Sequence, residues 1–241
     1  MTYTSPDRRA RIAAAFGRAD RYDEAAGAQR IAADALSKRI AAASLAPAPR
    51  ILELGCGTGF LTRALCDAIG PAHWTISDIA PDMVDRARAA LGISADYRVV
   101  DGEAVDPALG RFDLIASSLA FQWFADLPGA VAALTRRLKP GGLLAFSTMA
   151  ADGFPEWTEA LAAEGLSGGT PAYPDRAALA ALAPPGYLAD VETADIARQQ
   201  ADARSFLRGL KAIGAGTPAE GYRPLPPAAL RRAMARFDAG P

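Results

Sequence analysis

Apolar residues change their period along this chain, and the changes mark out its elements. Ile12 and Phe16, then Ile31, Ala35, Leu36 and Ile40, recur at roughly helical spacing among alanines and arginines, which predicts two N-terminal helices broken near residues 17–27. Pro47 and Pro49 close that section. Beyond them, short continuous apolar runs alternate with helical patterns. Arg50–Leu54 reads as a buried strand, Phe60–Ile69 as a helix and residues 74–78 as a second strand. Pro81–Leu91 is predicted to be a helix with proline in its first turn, and residues 97–100 and 112–116 the third and fourth strands. Residues 128–138 read as a helix ended by Lys139-Pro140-Gly141-Gly142, and residues 143–148 as strand five.

Strand and helix units of this length imply parallel strands joined by right-handed crossovers, hence an α/β fold with a doubly wound, mostly parallel sheet. The expected organisation is a set of N-terminal helices over residues 1–46 that cap a pocket, a ligand-binding core over residues 47–150, and a C-terminal part over residues 151–241. That last part should carry a sixth strand at residues 187–196 and helices at 155–166, 175–182, 203–213 and 227–237, which form a helical lid. In such sheets ligands bind beyond the carboxyl ends of the strands, so chemistry is sought there.

Composition narrows the chemistry. With 241 residues, 51% hydrophobic and 22% charged, the chain can bury a real core. Charged residues, Pro or Gly interrupt every apolar stretch before a membrane span is complete. Residues 1–9 hold no long apolar run, so no secretory signal is read and the expected location is the cytoplasm. The two cysteines, Cys56 and Cys66, lack metal-ligand spacing, so no metal is expected and both read as reduced core thiols. The single histidine, His73, precedes an apolar run, which makes a histidine general base improbable.

The most informative segment is Glu53-Leu54-Gly55-Cys56-Gly57-Thr58-Gly59, between the first strand and the next helix. Its GxGxG spacing departs from the GxGxxG dinucleotide fingerprint, and an acid just before it suits a cationic ligand better than a phosphate. Asp78, ending strand two, is placed to grip ribose hydroxyls. Asp101, after strand three and followed by Gly102, could accept from an adenine amino group, with Ile79 and Met83 as apolar cover.

Loop, Asp78 and Asp101 at consecutive strand ends together resemble the Rossmann-like class I S-adenosyl-L-methionine (SAM)-dependent methyltransferases. The resemblance implies that Gly55, Cys56, Gly57 and Gly59 line the cofactor site. It also implies that Glu53 faces the methionine amino group and that the Leu119 backbone lies near the methionine moiety. A narrower resemblance rests on Ile12-Ala13-Ala14-Ala15-Phe16-Gly17-Arg18-Ala19 with Tyr22-Asp23, on Ser117-Ser118-Leu119-Ala120-Phe121-Gln122-Trp123, and on Phe206-Leu207-Arg208-Gly209-Leu210-Lys211-Ala212-Ile213-Gly214-Ala215. Phe146-Ser147-Thr148-Met149 adds to it. These segments are similar to the malonyl-acyl carrier protein O-methyltransferases of biotin synthesis, a family expected to continue past residues 237–241 into a final sheet strand.

That resemblance implies methyl transfer from SAM to the free carboxylate of a malonyl thioester. The carboxylate is anionic at neutral pH, so no protein base is needed and catalysis is positioning alone. Tyr22, Gln122, Trp123, Arg208 and Lys211 are the candidates for orienting the acceptor. Residues 203–237 hold seven basic side chains against one acid, a local +6 that leaves −7 for the rest of a chain of net charge −1. This segment, with Arg8, Arg9 and Arg11, is expected to attract an acidic acyl carrier protein rather than nucleic acid or a membrane. Two other readings stay open: another small-molecule carboxylate methyltransferase, and a SAM-binding assembly factor that does not methylate. The sequence leaves the oligomeric state unassigned.

Overall fold

The structure is a computed structural model, and it describes residues 6–19, 22–219 and 221–240. Three helices, α1 (Pro6–Gly17), α2 (Tyr22–Ala25) and α3 (Gly27–Ala41), precede the sheet. The core then runs β1 (Arg50–Leu54), α4 (Phe60–Ile69), β2 (His73–Asp78), α5 (Pro81–Leu91), β3 (Asp96–Val99), β4 (Phe112–Ser118), α6 (Leu127–Thr135) and β5 (Leu138–Ser147). Short 3-10 turns sit at Pro107–Leu109 and Phe121–Trp123. Helices α7 (Pro155–Ala162), α8 (Arg176–Ala180), α9 (Ala203–Ala212) and α10 (Pro227–Ala239) follow.

The five strands are all parallel, in the order β3-β2-β1-β4-β5. Strand β1 is central, and Ile51, Leu52 and Leu54 are buried, as the continuous apolar run requires of a strand covered on both faces. Ile40, Leu61, Leu65 and Trp74 fill one side of the sheet, and Phe121, Val131 and Leu134 the other. The chain leaves β1 toward β2 and β3, then returns to place β4 on the other side. The direction of winding therefore reverses between β1 and β4, the point in such sheets beyond whose carboxyl ends ligands bind. The glycine loop and residues 119–124 follow β1 and β4 at that point.

Two expectations are corrected. Residues 187–196 form no strand, and Leu188 is fully exposed. Arg39 of α3 forms ion pairs with Asp190 and Glu192, and the Tyr187 hydroxyl donates to the Thr135 carbonyl at the end of α6. The alternation that read as a strand is thus spent on side-chain tethers to two helices. Second, Lys139-Pro140-Gly141-Gly142 does not follow a helix but bulges within β5: Leu138 pairs with Phe112, and pairing resumes at Leu143 opposite Leu114. The Lys139 ammonium fixes the bulge through Asp113 Oδ2 at 2.6 Å. Among the described residues beyond 150 there is no strand, and α7, α9 and α10 pack through Trp157, Phe206 and Phe237.

Candidate functional site

The loop after β1 turns by left-handed backbone: φ is +71° at Gly55, +53° at Gly57 and +92° at Gly59. Gly55 also has no room for a side chain, because a Cβ there would stand 2.5 Å from Ala120 Cβ. The turn is tied to its neighbours by the Cys56 amide donating to the Ser77 carbonyl at 2.9 Å and the Ser77 hydroxyl donating to the Glu53 carbonyl at 2.6 Å.

Two carboxylates are buried under this loop. Glu53 is 1% exposed and accepts from the Thr62 hydroxyl of α4. Burial pushes its pKa up to about 8, with the Asp78 charge adding to the rise and the Thr62 hydrogen bond opposing it. Asp78 is 7% exposed, and it accepts from the Gly57 amide at 3.0 Å through Oδ2 and from the Ala80 amide at 2.9 Å through Oδ1. Burial raises its pKa too, and only backbone amides of Ala80, Gly57 and Ile79 oppose the rise. The Cys56 thiol between them is pushed up by burial and then by both acids. Among the described residues no basic side chain offsets the rise of either acid. A cation brought beside Glu53 and Asp78 would relieve that imbalance, and a hydroxyl could use the remaining lone pairs of Asp78. This pair of acceptors fits a cationic, hydroxyl-bearing ligand.

The N-terminal helices lie over the loop. Tyr22 begins α2 with its hydroxyl 3.4 Å from where a Gly57 Cβ would be, and its ring stacks on Phe60 at 6.4 Å. Desolvation holds the Tyr22 phenol protonated, with the Asp78 and Asp23 charges reinforcing it. Asp23 accepts from the Thr58 hydroxyl at 2.6 Å. Met83 is fully buried with Ala19, Ala80, Phe16 and Tyr22, while Ile79 beside it is half-buried. Arg86 of α5 donates to the carbonyls of Gly17 and Ala19 at 2.9 and 2.7 Å.

On the far wall, Leu119 has φ +50°, a backbone state that branched side chains rarely adopt. Its amide donates to the Ser147 carbonyl at 3.0 Å, and its carbonyl accepts from Gln122 Nε2 at 2.7 Å. Trp123 stands edge-on to Phe16, with ring centroids 5.6 Å apart. A Cβ on Gly102 would lie 2.6 Å from the Phe124 ring, so this glycine is the floor of a close packing contact.

Asp101 is not a free acceptor. Its Oδ1 accepts from the Glu103 amide at 3.0 Å, and its Oδ2 pairs with Arg9 Nη1 at 2.8 Å. Arg9 also reaches Glu103 at 3.3 Å, and the buried Arg8 donates to the Trp123 carbonyl at 3.2 Å. These two arginines therefore hold α1 down on the site and do not add to a basic surface. Sequence reasoning missed them as site residues because nothing local marks a surface-looking helix as one that folds over the sheet. Glu103, which caps the Ala125 and Asp126 amides at 2.9 Å, was missed likewise.

Arg208 and Lys211 lie on α9, which packs against α2, and Arg208 bonds to Ser205 of its own helix at 3.3 Å. Arg232 and Arg236 are engaged by Glu164, which lowers that carboxylate's pKa. His73 is exposed at the opposite end of β2 from the loop. No metal-binding cluster occurs among the described residues, and no helix among them is long and apolar enough to cross a membrane.

A family model described as a methyltransferase domain matches residues 51–142, the segment from β1 to the β5 bulge. The biotin biosynthesis bifunctional protein BioCD of Bordetella avium is 50% identical over 239 residues, which cover 99% of this chain. The chain spans 50% of the length of that relative. The malonyl-[acyl-carrier protein] O-methyltransferase of Magnetococcus marinus is 38% identical over 95% of this chain and 85% of its own length. Among solved structures, a chain of the complex between the Haloferax volcanii Trm112 methyltransferase activator and a methyltransferase matches 73% of both chains with TM-score 0.53 at 21% identity, a likeness of fold alone. With sequence identity of this extent running through the cap, the glycine loop and the C-terminal helices, the chain belongs to the malonyl-[acyl-carrier protein] O-methyltransferase family.

Proposed function

We propose that the chain transfers the methyl group of S-adenosyl-L-methionine to the free carboxylate of malonyl-acyl carrier protein, an early step of biotin synthesis. The observation that carries this reading is the near full-length identity to relatives named for that reaction and that pathway. The buried acids supply the matching chemistry. Glu53 takes the methionine ammonium, directly or through water, and Asp78 takes the ribose hydroxyls beside Ile79. Met83 and the Asp101-Gly102 turn hold the adenine end. Gly55, Cys56, Gly57 and Gly59 let the backbone approach, and Leu119 lines the methionine side.

When bound, SAM supplies a methyl group on a positively charged sulfur. The chain's own task is then to hold an acceptor carboxylate in line with that methyl and to keep water away. The malonyl carboxylate is already ionised at neutral pH, so no side chain has to remove a proton. Tyr22 closes the site from the cap side and Trp123 from the opposite wall, and Gln122 faces the acceptor. Tyr22 keeps its phenolic proton and acts as a hydrogen-bond donor, not a base. Arg208 and Lys211 act from α9, attracting the acidic carrier protein.

The test is mass spectrometry of malonyl-acyl carrier protein incubated with the protein and SAM. A gain of one methylene on the malonyl group is expected, and its absence removes the proposal. Comparison with malonyl-coenzyme A and free malonate separates this reading from a general carboxylate methyltransferase. SAM binding with no methylated product would instead favour an assembly factor.

A further inference from the structure

A concavity lies at the carboxyl ends of β4 and β5. It encloses about 630 Å³ between the Phe121–Trp123 turn, the residues after β5 and helix α8. Phe121, Phe124 and Leu182 make its walls apolar, and Gln122, Thr148 and Tyr173 bring polar groups to it. Two of those groups are unusual. Gln122 Oε1 and Thr148 Oγ1 are both buried without a hydrogen-bond partner among the described residues. The Gln122 amide donates through Nε2 to the Leu119 carbonyl at 2.7 Å, which leaves Oε1 as the free acceptor of a side chain lining the cavity. Thr148 adds a hydroxyl that can donate. Buried polar atoms in native structures are nearly always paired, so an acceptor and a donor left together in one cavity mark a missing ligand or bound water.

We propose that this cavity is the seat of the pantetheine arm that tethers the malonyl group to its carrier. The inference rests on the malonyl thioester reading given above and adds where the arm lies. A pantetheine arm is a linear, largely apolar chain interrupted by amides. Each amide presents one N–H and one C=O, the complement of Gln122 Oε1 and the Thr148 hydroxyl. The cavity has the two ends such an arm needs. Ala172, Ala178 and Ala181 form an outer rim exposed to solvent, where a carrier protein would stand. At the inner end Gln122 is bonded to Leu119, and the next residue, Ala120, touches Gly55 of the cofactor loop. An arm entering over α8 thus delivers its acyl end toward the loop. A free dicarboxylate needs no such corridor and would meet no cation among its lining residues.

Two measurements test this. Saturation-transfer NMR with S-methyl-pantetheine, an arm without a malonyl group, should detect binding to the wild-type protein and lose it in Ala178→Phe, a substitution at an exposed rim position. Steady-state kinetics should show that the wild type prefers malonyl-pantetheine to an S-methyl malonyl thioester, with the preference falling about ten-fold in Thr148→Val, the effect of one lost hydrogen bond. Absence of binding to the arm, or an arm preference unaltered in both variants, overturns the inference. Arm binding without methylation of any malonyl thioester keeps the cavity assignment and overturns the reaction. Methylation without arm preference does the reverse.

Discussion

The Arg9 guanidinium lies 2.8 Å from Asp101 Oδ2, so the N-terminal helix holds the carboxylate proposed above for the adenine amino group. Both side chains are about a third exposed or less, at 34% and 27%, and an ion pair of that kind contributes up to about 1 kcal/mol. Arg9→Ala should therefore free Asp101 and tighten SAM binding, by up to about five-fold. Titration calorimetry at low and moderate salt checks this, since the gain should shrink as ions screen the pair. Weaker binding in the variant would mean that Arg9 helps to close the site over the nucleoside.

Glu53 predicts a proton release. Burial places its pKa at about 8, far above that of an unfolded carboxyl, so at pH 7 it is mostly protonated. A cation bound beside it favours the charged form and drives the proton off. SAM binding measured near pH 7 in buffers of different ionisation enthalpy should show net proton release, absent in Glu53→Gln. Stability runs the opposite way from that of a paired surface acid. The folded pKa is raised, so Glu53's contribution is complete below the unfolded carboxyl pKa, declines as pH rises, and is lost as pH passes about 8. Thermal melts of the ligand-free protein should fall across that window, and Glu53→Gln should flatten the fall.

Asp78 carries two loads, and two substitutions separate them. Its carboxylate holds the Gly57 and Ala80 amides and, in the proposed complex, the ribose hydroxyls. Asp78→Ala loses everything, and SAM affinity should fall by roughly 1–3 kcal/mol together with a lower melting temperature. Asp78→Asn keeps one acceptor oxygen for the backbone, so it should recover much of the stability while affinity stays low. Unchanged calorimetric affinity in both variants would remove Asp78 as the ribose ligand.

Local pattern carried the parallel core and the acids at its strand ends, because a strand buried on both faces needs a continuous apolar run and a strand end has a fixed place. It carried much less where side chains act over long distances. The alternation of residues 187–196 reads as a strand until Arg39, about 150 positions earlier, is seen to hold Asp190 and Glu192. Arg8 and Arg9 read as surface charge, since a helix of alanines and arginines does not reveal which face folds onto Trp123 and Asp101. Thr148 belongs to the Phe146–Met149 segment that resembles the family, but its unpaired hydroxyl exists only in three dimensions.

Gly214 joins the C-terminal segment to the cap, and it leads to the last prediction. Its φ is +76°, and a Cβ added there would stand 2.8 Å from Phe16 Cδ1 and 2.9 Å from Phe16 Cα. A ring edge can swing aside, but the backbone of α1 cannot move without shifting the helix that Arg8 and Arg9 hold down. Gly214→Ala should therefore cost about 1–2 kcal/mol for the left-handed backbone and roughly 1–3 kcal/mol for overpacking. Denaturant unfolding measures the sum. Phe16→Ala in the same chain removes the clash with the ring but leaves the clash with the α1 backbone and the φ penalty. The double variant should thus recover only part of the loss, with a coupling energy of at least about 0.5 kcal/mol. Strict additivity would show that Gly214 matters for its own backbone alone, and that the cap and the C-terminal helices are independent of each other at this point.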